Sequence, residues 1–233
     1  MVPGRSAKEQ WKDDHNNFVT DLADNPDFLF VYSDRSLTEQ RGRRRTGYSV
    51  IGYNKGEVVF KRNRALGEHV EVYDAEMMGI QIAAEETRKY MAAEHSLPIP
   101  SSIIFYTDNA GSIDRIFGGK PGKGQAQSRV FRKTIAKILN KHEDLKIEIS
   151  WCPSHSSIIR NEAADALAKE GARSPIMDPN HKSQAYVTGL QKREMLETWR
   201  LRWTNAPNPP CSGFALANRL APMLCTTKRF WML

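Results

Sequence analysis

The sequence predicts an α/β domain built on a mixed β-sheet, and three observations carry that prediction. Between residues 28 and 173, apolar runs that read as strands alternate with longer stretches of helical periodicity: three strands, a helix, a strand, helices, a strand, a helix. The two most apolar runs, "FLFVY" (28–32) and "IIFY" (103–106), each lead through a hydroxyl into an aspartate, Asp34 and Asp108. A chain of 233 residues, 40% hydrophobic and 26% charged, is long enough for one full core and an appendage.

Residues 1–27 are polar, with one Trp, and read as a lead-in or short helix. A strand over 28–34 is followed by a very basic connection, "RSLTEQRGRRRTG", and then by "YSVIGYN" and "EVVFKRNRAL", two strands of a meander joined at Lys55-Gly56. "VYDAEMMGIQIAAEETRKYMAAEH" (72–95) is the longest helical pattern and stops ahead of Pro98 and Pro100. The second aspartate strand covers 102–108, with a short helix after it to Phe117. Beyond the loop "GGKPGKGQ" a further helix places Phe131, Ile135, Ile138 and Leu139 on one face. "LKIEISW" alternates Leu145, Ile147, Ile149 and Trp151 inward with polar residues outward, and "IIRNEAADALAKEG" is a final helix ending at Gly171. Composition shifts at "SPIMDPNH". The expected organisation is a lead-in over 1–27, the domain over 28–173, and a basic Pro-containing tail over 174–233 with one helix, "YVTGLQKREMLETWRLRWTN". Trp199, Trp203 and Trp231 of that tail read as core or docking residues.

The net charge of +7 points to an acidic partner, yet the tail holds eight Lys or Arg against three Asp or Glu and carries most of it. Nucleic-acid binding by the main body must therefore rest on local clusters. Three widely spaced cysteines without CxxC spacing suggest an intracellular, reducing location. No apolar run approaches the ~20 residues of a membrane span, and no signal-peptide core precedes the domain.

Two strand-end aspartates have a plain explanation as turn and cap residues. Two further acids make that explanation insufficient. Glu76 shares the face of Ile80 and Ala83 on the long helix, the face that points at the sheet. Asp165 lies among Ala164, Ala166 and Ala168, whose small side chains let the last helix approach the sheet closely. Ligands of α/β sheets sit at the carboxyl edge of the strands, so Asp34, Glu76, Asp108 and Asp165 would converge on one pocket. Two carboxylates ~4 Å apart repel by about 4 kcal/mol at an effective dielectric of 20, so such a cluster needs a cation. Oxygen ligands without His or Cys select Mg²⁺ or Mn²⁺ over zinc. Cys152 and His155 have a metal-like gap but no second pair.

"YSDRS", "DAEMMGI", "YTDNAGS" and "WCPSHSSIIRNEAADALAKEG" together resemble the motif set of the type 1 ribonuclease H family, in the same order, over about residues 28–173. The last motif is the most specific. The resemblance implies a ribonuclease H-like fold, a five-stranded mixed sheet with its second strand antiparallel to the rest and helices on both faces. It also implies a two-metal hydrolysis of the RNA strand of RNA/DNA hybrids, with Asp34, Glu76, Asp108 and Asp165 as the ligands of two Mg²⁺ (or Mn²⁺) ions. His155 would match the family's mobile histidine, which assists proton transfer or product release. The tail resembles the segment C-terminal to ribonuclease H in fungal non-LTR retroelement polyproteins. Arg35 stands where the family usually has Gly, and Ser157 and Arg160 replace glycines that flank the histidine loop, which predicts altered turn geometry.

For substrate grip, Arg43, Arg44 and Arg45 form a dense cluster with Arg41. Arg129, Lys133, Lys137 and Lys141 recur every four residues as a helix stripe, with Lys120 and Lys123 in the loop before it. Asn109 is the candidate for sensing a 2′-OH. A monomer is expected. The alternative function is a retroelement-derived protein that binds hybrids or duplexes with weak or no cleavage.

Overall fold

The computed structural model describes residues 5–40, 42–94, 98–119, 121–153, 158–178 and 180–204. Strands β1 (Phe28–Gln40), β2 (Arg43–Asn54) and β3 (Glu57–Gly67) form an antiparallel meander. Strands β4 (Ser102–Thr107) and β5 (Lys146–Trp151) extend it in parallel from the other side of β1. The order is β3-β2-β1-β4-β5, so β2 runs against the other four, as expected.

Helices cover both faces, which explains why β1 is apolar at consecutive positions rather than at alternate ones. Leu29 and Val31 join Met77 and Ile80 of α2 (Val72–Ala92) and Phe131 and Ile138 of α4 (Gln125–Leu139) in one core. Phe30 and Tyr32 join Val19 of α1 (Arg5–Asp21) and Ala164 of α5 (Ile159–Arg173) in the other. A short helix, α3 (Ala110–Phe117), follows β4.

Three stretches differ from the sequence reading. The first strand does not stop at residue 34. It continues to Gln40, and β2 begins at Arg43, so the basic connection is a paired ribbon with Thr38 opposite Arg45 and Glu39 opposite Arg44. Opposite charges across the ladder favour this pairing, and Gly42, at φ +74°, takes up the reversal in a conformation costly to other residues. The polar lead-in is a 17-residue helix that lays Trp11, His15 and Val19 on the sheet. Their spacing of four is one apolar stripe on an otherwise charged helix, which composition alone conceals.

The third stretch is the start of the tail, which is tied to the domain. Arg45 donates from Nη2 to the Ser174 carbonyl at 2.7 Å, and the Ser174 hydroxyl accepts the Ala65 N–H at 3.3 Å. Ser183 Oγ accepts the Glu71 N–H at 3.2 Å, just ahead of α2. The first compact unit ends at Tyr186, in the first turn of α6 (Gln184–Thr204). In the second unit Trp199 and Trp203 meet edge to face at 5.4 Å. No helix among the described residues is long and apolar enough to cross a membrane.

Candidate active site

The register of the central strands sets the site. β1 pairs with β4 only as far as Tyr32 opposite Tyr106; Asp34 and Asp108 each come two residues further along, where the parallel ladder has ended. On its other side Asp34 remains paired, opposite Ser49 of β2. The second turn of α2 brings Glu76 over this break. One carboxylate oxygen from each of Asp34, Glu76 and Asp108 lies within 4.8 Å of the others, from three separate elements. Asp34 and Glu76 are buried.

Each acid is held from behind. Asp34 Oδ1 accepts the backbone N–H of Arg35 at 2.7 Å. Glu76 Oε1 accepts the Thr107 hydroxyl at 2.9 Å. The Trp151 indole donates to the Asp108 carbonyl at 3.0 Å, which fixes the chain just past β4. Glu76 Oε2, by contrast, is buried and receives no hydrogen bond; it is met instead by the Arg35 guanidinium, whose Nε stands 3.5 Å away as an ion pair.

The electrostatics follow from crowding. Burial, and then the Asp108 charge, raise the Asp34 pKa to about 7 against the pull of the Arg35 N–H. Burial, followed by Asp108 and Asp34, lifts Glu76 to about 8. Acids held this far above their usual range are ones whose ionised form lacks compensation. An all-oxygen donor set around an orphaned carboxylate oxygen fits a hard divalent cation. Asp34, Glu76 and Asp108 are the residues that would hold it.

Asp165 sits on α5 outside this trio, though its charge still raises the pKa of Asp34. Its Oδ2 accepts from the Lys169 ammonium one turn on. α5 is drawn onto β2 there by the Ser49 hydroxyl, which donates to the Ala164 carbonyl at 2.6 Å. His155, the expected mobile histidine, lies outside the described residues, as do Ser157, Arg41 and Lys120. Cys152 is fully buried with its thiol directed to Asn161 Oδ1 at 3.2 Å, and burial pushes its pKa well up, so it stays a protonated thiol.

Asn109 caps α3 beside Asp108, half-buried. Lys123, Arg129 and Lys133 are exposed before and along α4. Arg43 and Arg44 are exposed on the β1–β2 ribbon, whereas Arg45 is half-buried and engaged with Ser174. The expected turn strain is absent from the two arginines in the described residues: Arg35 lies in β1 and Arg160 in α5, neither at positive φ. Sequence reasoning noticed Arg35 only as a missing glycine. It did not foresee that the side chain would reach Glu76, because that contact joins a strand to a helix 41 residues away.

The pattern of the RNase H family matches residues 26–173. Among solved structures, RNase H1 from the halophilic archaeon Halobacterium salinarum is similar, at 17% identity and a TM-score of 0.44, over 62% of this chain and 96% of that one. The N-terminal RNase H domain of Rv2228c from Mycobacterium tuberculosis aligns at 14% identity and a TM-score of 0.47, over 62% of this chain and 98% of that one. LC11-RNase H1, isolated from compost by a metagenomic approach and solved in complex with an RNA/DNA hybrid, aligns at 17% identity and a TM-score of 0.44, over 62% and 96%. No curated protein matches the chain. With the family pattern running unbroken from two residues ahead of β1 to the last residue of α5, the chain belongs to the RNase H family and is a ribonuclease H enzyme.

Proposed function

We propose that this protein is a divalent-metal-dependent endonuclease that hydrolyses the RNA strand of RNA/DNA hybrids, leaving 3′-OH and 5′-phosphate ends. The observation that carries the reading is the convergence of one carboxylate oxygen each of Asp34, Glu76 and Asp108 within 4.8 Å, with a Glu76 oxygen buried and without a hydrogen bond, in a chain of this family. Two divalent cations, Mg²⁺ by preference, would supply Lewis-acid stabilisation and an activated water.

The chain's own residues divide the remaining work. Asp34 and Asp108, each two residues beyond the last pair of the parallel ladder, would form the floor of the site. Thr107 holds Oε1 of Glu76 and so fixes the carboxylate that closes on the other two acids. Asp165 would complete the second ion's site once Lys169 releases it. His155 would carry a proton to the leaving oxygen or assist product release. Asn109, next to Asp108, would sense a 2′-OH, and Arg43, Arg44, Lys123, Arg129 and Lys133 would meet phosphates without reading sequence. The tail's resemblance to fungal non-LTR retroelement polyproteins supports a retroelement origin, with the protein acting as an intracellular monomer.

The test is incubation of end-labelled hybrid with the protein in Mg²⁺, in Mn²⁺ and in chelator. Internal cuts confined to the RNA strand and abolished by chelator are expected. Tight hybrid binding without cuts in either metal would replace this reading with that of a hybrid-binding remnant.

A further inference from the structure

The acidic cluster contains its own cation. Arg35 follows Asp34 in β1 and brings Nε to 3.5 Å from Glu76 Oε2, the buried oxygen that receives no hydrogen bond. The two partners differ sharply in access, since the Arg35 side chain is 40% exposed and that of Glu76 1%. A guanidinium so placed can turn into solvent by side-chain rotation alone, whereas Glu76 cannot follow it. An ion on Glu76 Oε2 at about 2.1 Å would lie within roughly 6 Å of that nitrogen, where two cations repel strongly at reduced dielectric.

We propose that Arg35 is a resident counter-ion that competes with the divalent metal for Glu76 and must swing outward when the metal binds. The proposal rests on the reading of Asp34, Glu76 and Asp108 as a metal centre. It makes Arg35 a positioning residue. In the metal-free protein it partly neutralises Glu76 wherever that carboxyl is ionised, and by reciprocity a group that favours the empty state lowers affinity for the ion. The consequence is a site that stays folded without metal and fills only at higher metal concentration than its carboxylates alone would require.

Calorimetric titration of the nucleic-acid-free protein with Mn²⁺ at about pH 8.5, above the Glu76 pKa of about 8, tests this without reference to activity. Arg35→Met, which keeps an unbranched side chain of strand-compatible shape, is expected to bind roughly tenfold or more tightly than wild type, and Arg35→Lys to stay close to wild type. Arg35→Gln gives a second neutral variant should the methionine not fold. Equal Mn²⁺ affinity in wild type and the neutral variants, or weaker affinity in the latter, overturns the role of Arg35 and leaves the metal centre standing. Absence of binding in wild type and in every variant overturns the metal centre and this proposal together. Binding by the neutral variants alone supports both.

Discussion

Two clusters of buried polar groups lie along the central strands, and they are built on different principles. In the first, Asp34, Glu76 and Asp108 crowd together with an oxygen that no donor satisfies. In the second, His15 Nε2 and the Tyr32 hydroxyl share a hydrogen bond at 3.0 Å, Trp11 stacks on His15 at 4.9 Å, and Arg160 lies over the rings of Phe30 and Tyr53 at 5.3 and 4.8 Å. The second cluster pairs its histidine with a tyrosine and holds its one cation, whose Nη1 also lacks a hydrogen bond, over two aromatic faces; the first leaves a carboxylate oxygen open among like charges. Burial alone therefore does not mark a site. Buried charge without compensation does.

The largest effect that would break this contrast is chemical. Asp34→Asn keeps the shape of the side chain and removes a charged oxygen, so cleavage of the hybrid should fall by several orders of magnitude, each 1.36 kcal/mol of lost stabilisation being about tenfold. In chelator at pH 8 the same variant should be more stable than wild type by roughly 1–3 kcal/mol, because it relieves repulsion. Retained cleavage, or a loss of stability of the size seen when a turn cap is removed, would make Asp34 a structural residue like His15.

The acids themselves were legible because their chemistry lies in short motifs: a hydroxyl and an aspartate after an apolar run, and a glutamate on the sheet-facing stripe of a helix. Their surroundings were not legible. Arg35 pairs across elements. Asp165 is already bound to Lys169, a pairing that helical spacing of four allows but does not dictate. The length of β1 escaped because a polar, arginine-rich stretch resembles a loop, and only the partner strand shows that its charges pair. Trp11 and His15 escaped for a related reason: a single apolar stripe on a helix of low mean hydropathy becomes visible only against the face it covers.

Acidity separates the clusters with opposite signs. Asp34 and Glu76 have folded pKa values raised to about 7 and about 8, so in chelator the folded protein holds protons that the unfolded chain releases. Stability should fall by on the order of a few kcal/mol as pH rises from about 4 to about 8, and Mg²⁺ should flatten that slope. His15 is depressed to about 4, chiefly by burial and then by Arg160, so it enters the folded state neutral. Its contribution runs the other way, being lost as pH falls from about 6.5 to about 4, on the order of 3 kcal/mol in all. Thermal melts of wild type and His15→Gln across pH 4–8 separate the two: the variant should lose the acid limb and keep the alkaline one. An unchanged acid limb would show that His15 does not set it.

Smaller effects sharpen the same comparison. Trp11→Ala removes the stacked partner of His15 and the edge contact with Trp151, and should cost about 2 kcal/mol, read as a Tm lower by roughly 4–8 °C. It should leave Mn²⁺ affinity unchanged if the clusters are independent. Smallest of all, the double change Arg43→Ala, Arg44→Ala should weaken hybrid binding modestly and lower the salt slope by about one unit for each phosphate no longer neutralised. Arg45 is excluded from that pair because its guanidinium holds Ser174. An unaltered slope would return both arginines to the solvated edge of the ribbon.

The seating of α5 has a mechanical consequence. The helix touches the sheet closely at three points: where Ser49 grips Ala164, where Asn63 donates to the Leu167 carbonyl at 3.1 Å, and near its end, where Gly47 meets the backbone of Ala172 so closely that a Cβ would collide and Gly171 stands over the Tyr48 carbonyl. The outer two are eight residues apart, about 12 Å along the axis. A rod pinned at both ends of such a span cannot tilt about one bearing without pulling the other apart. Asp165 is one residue from the Ser49 bearing, so its backbone is held at a fixed height over β2.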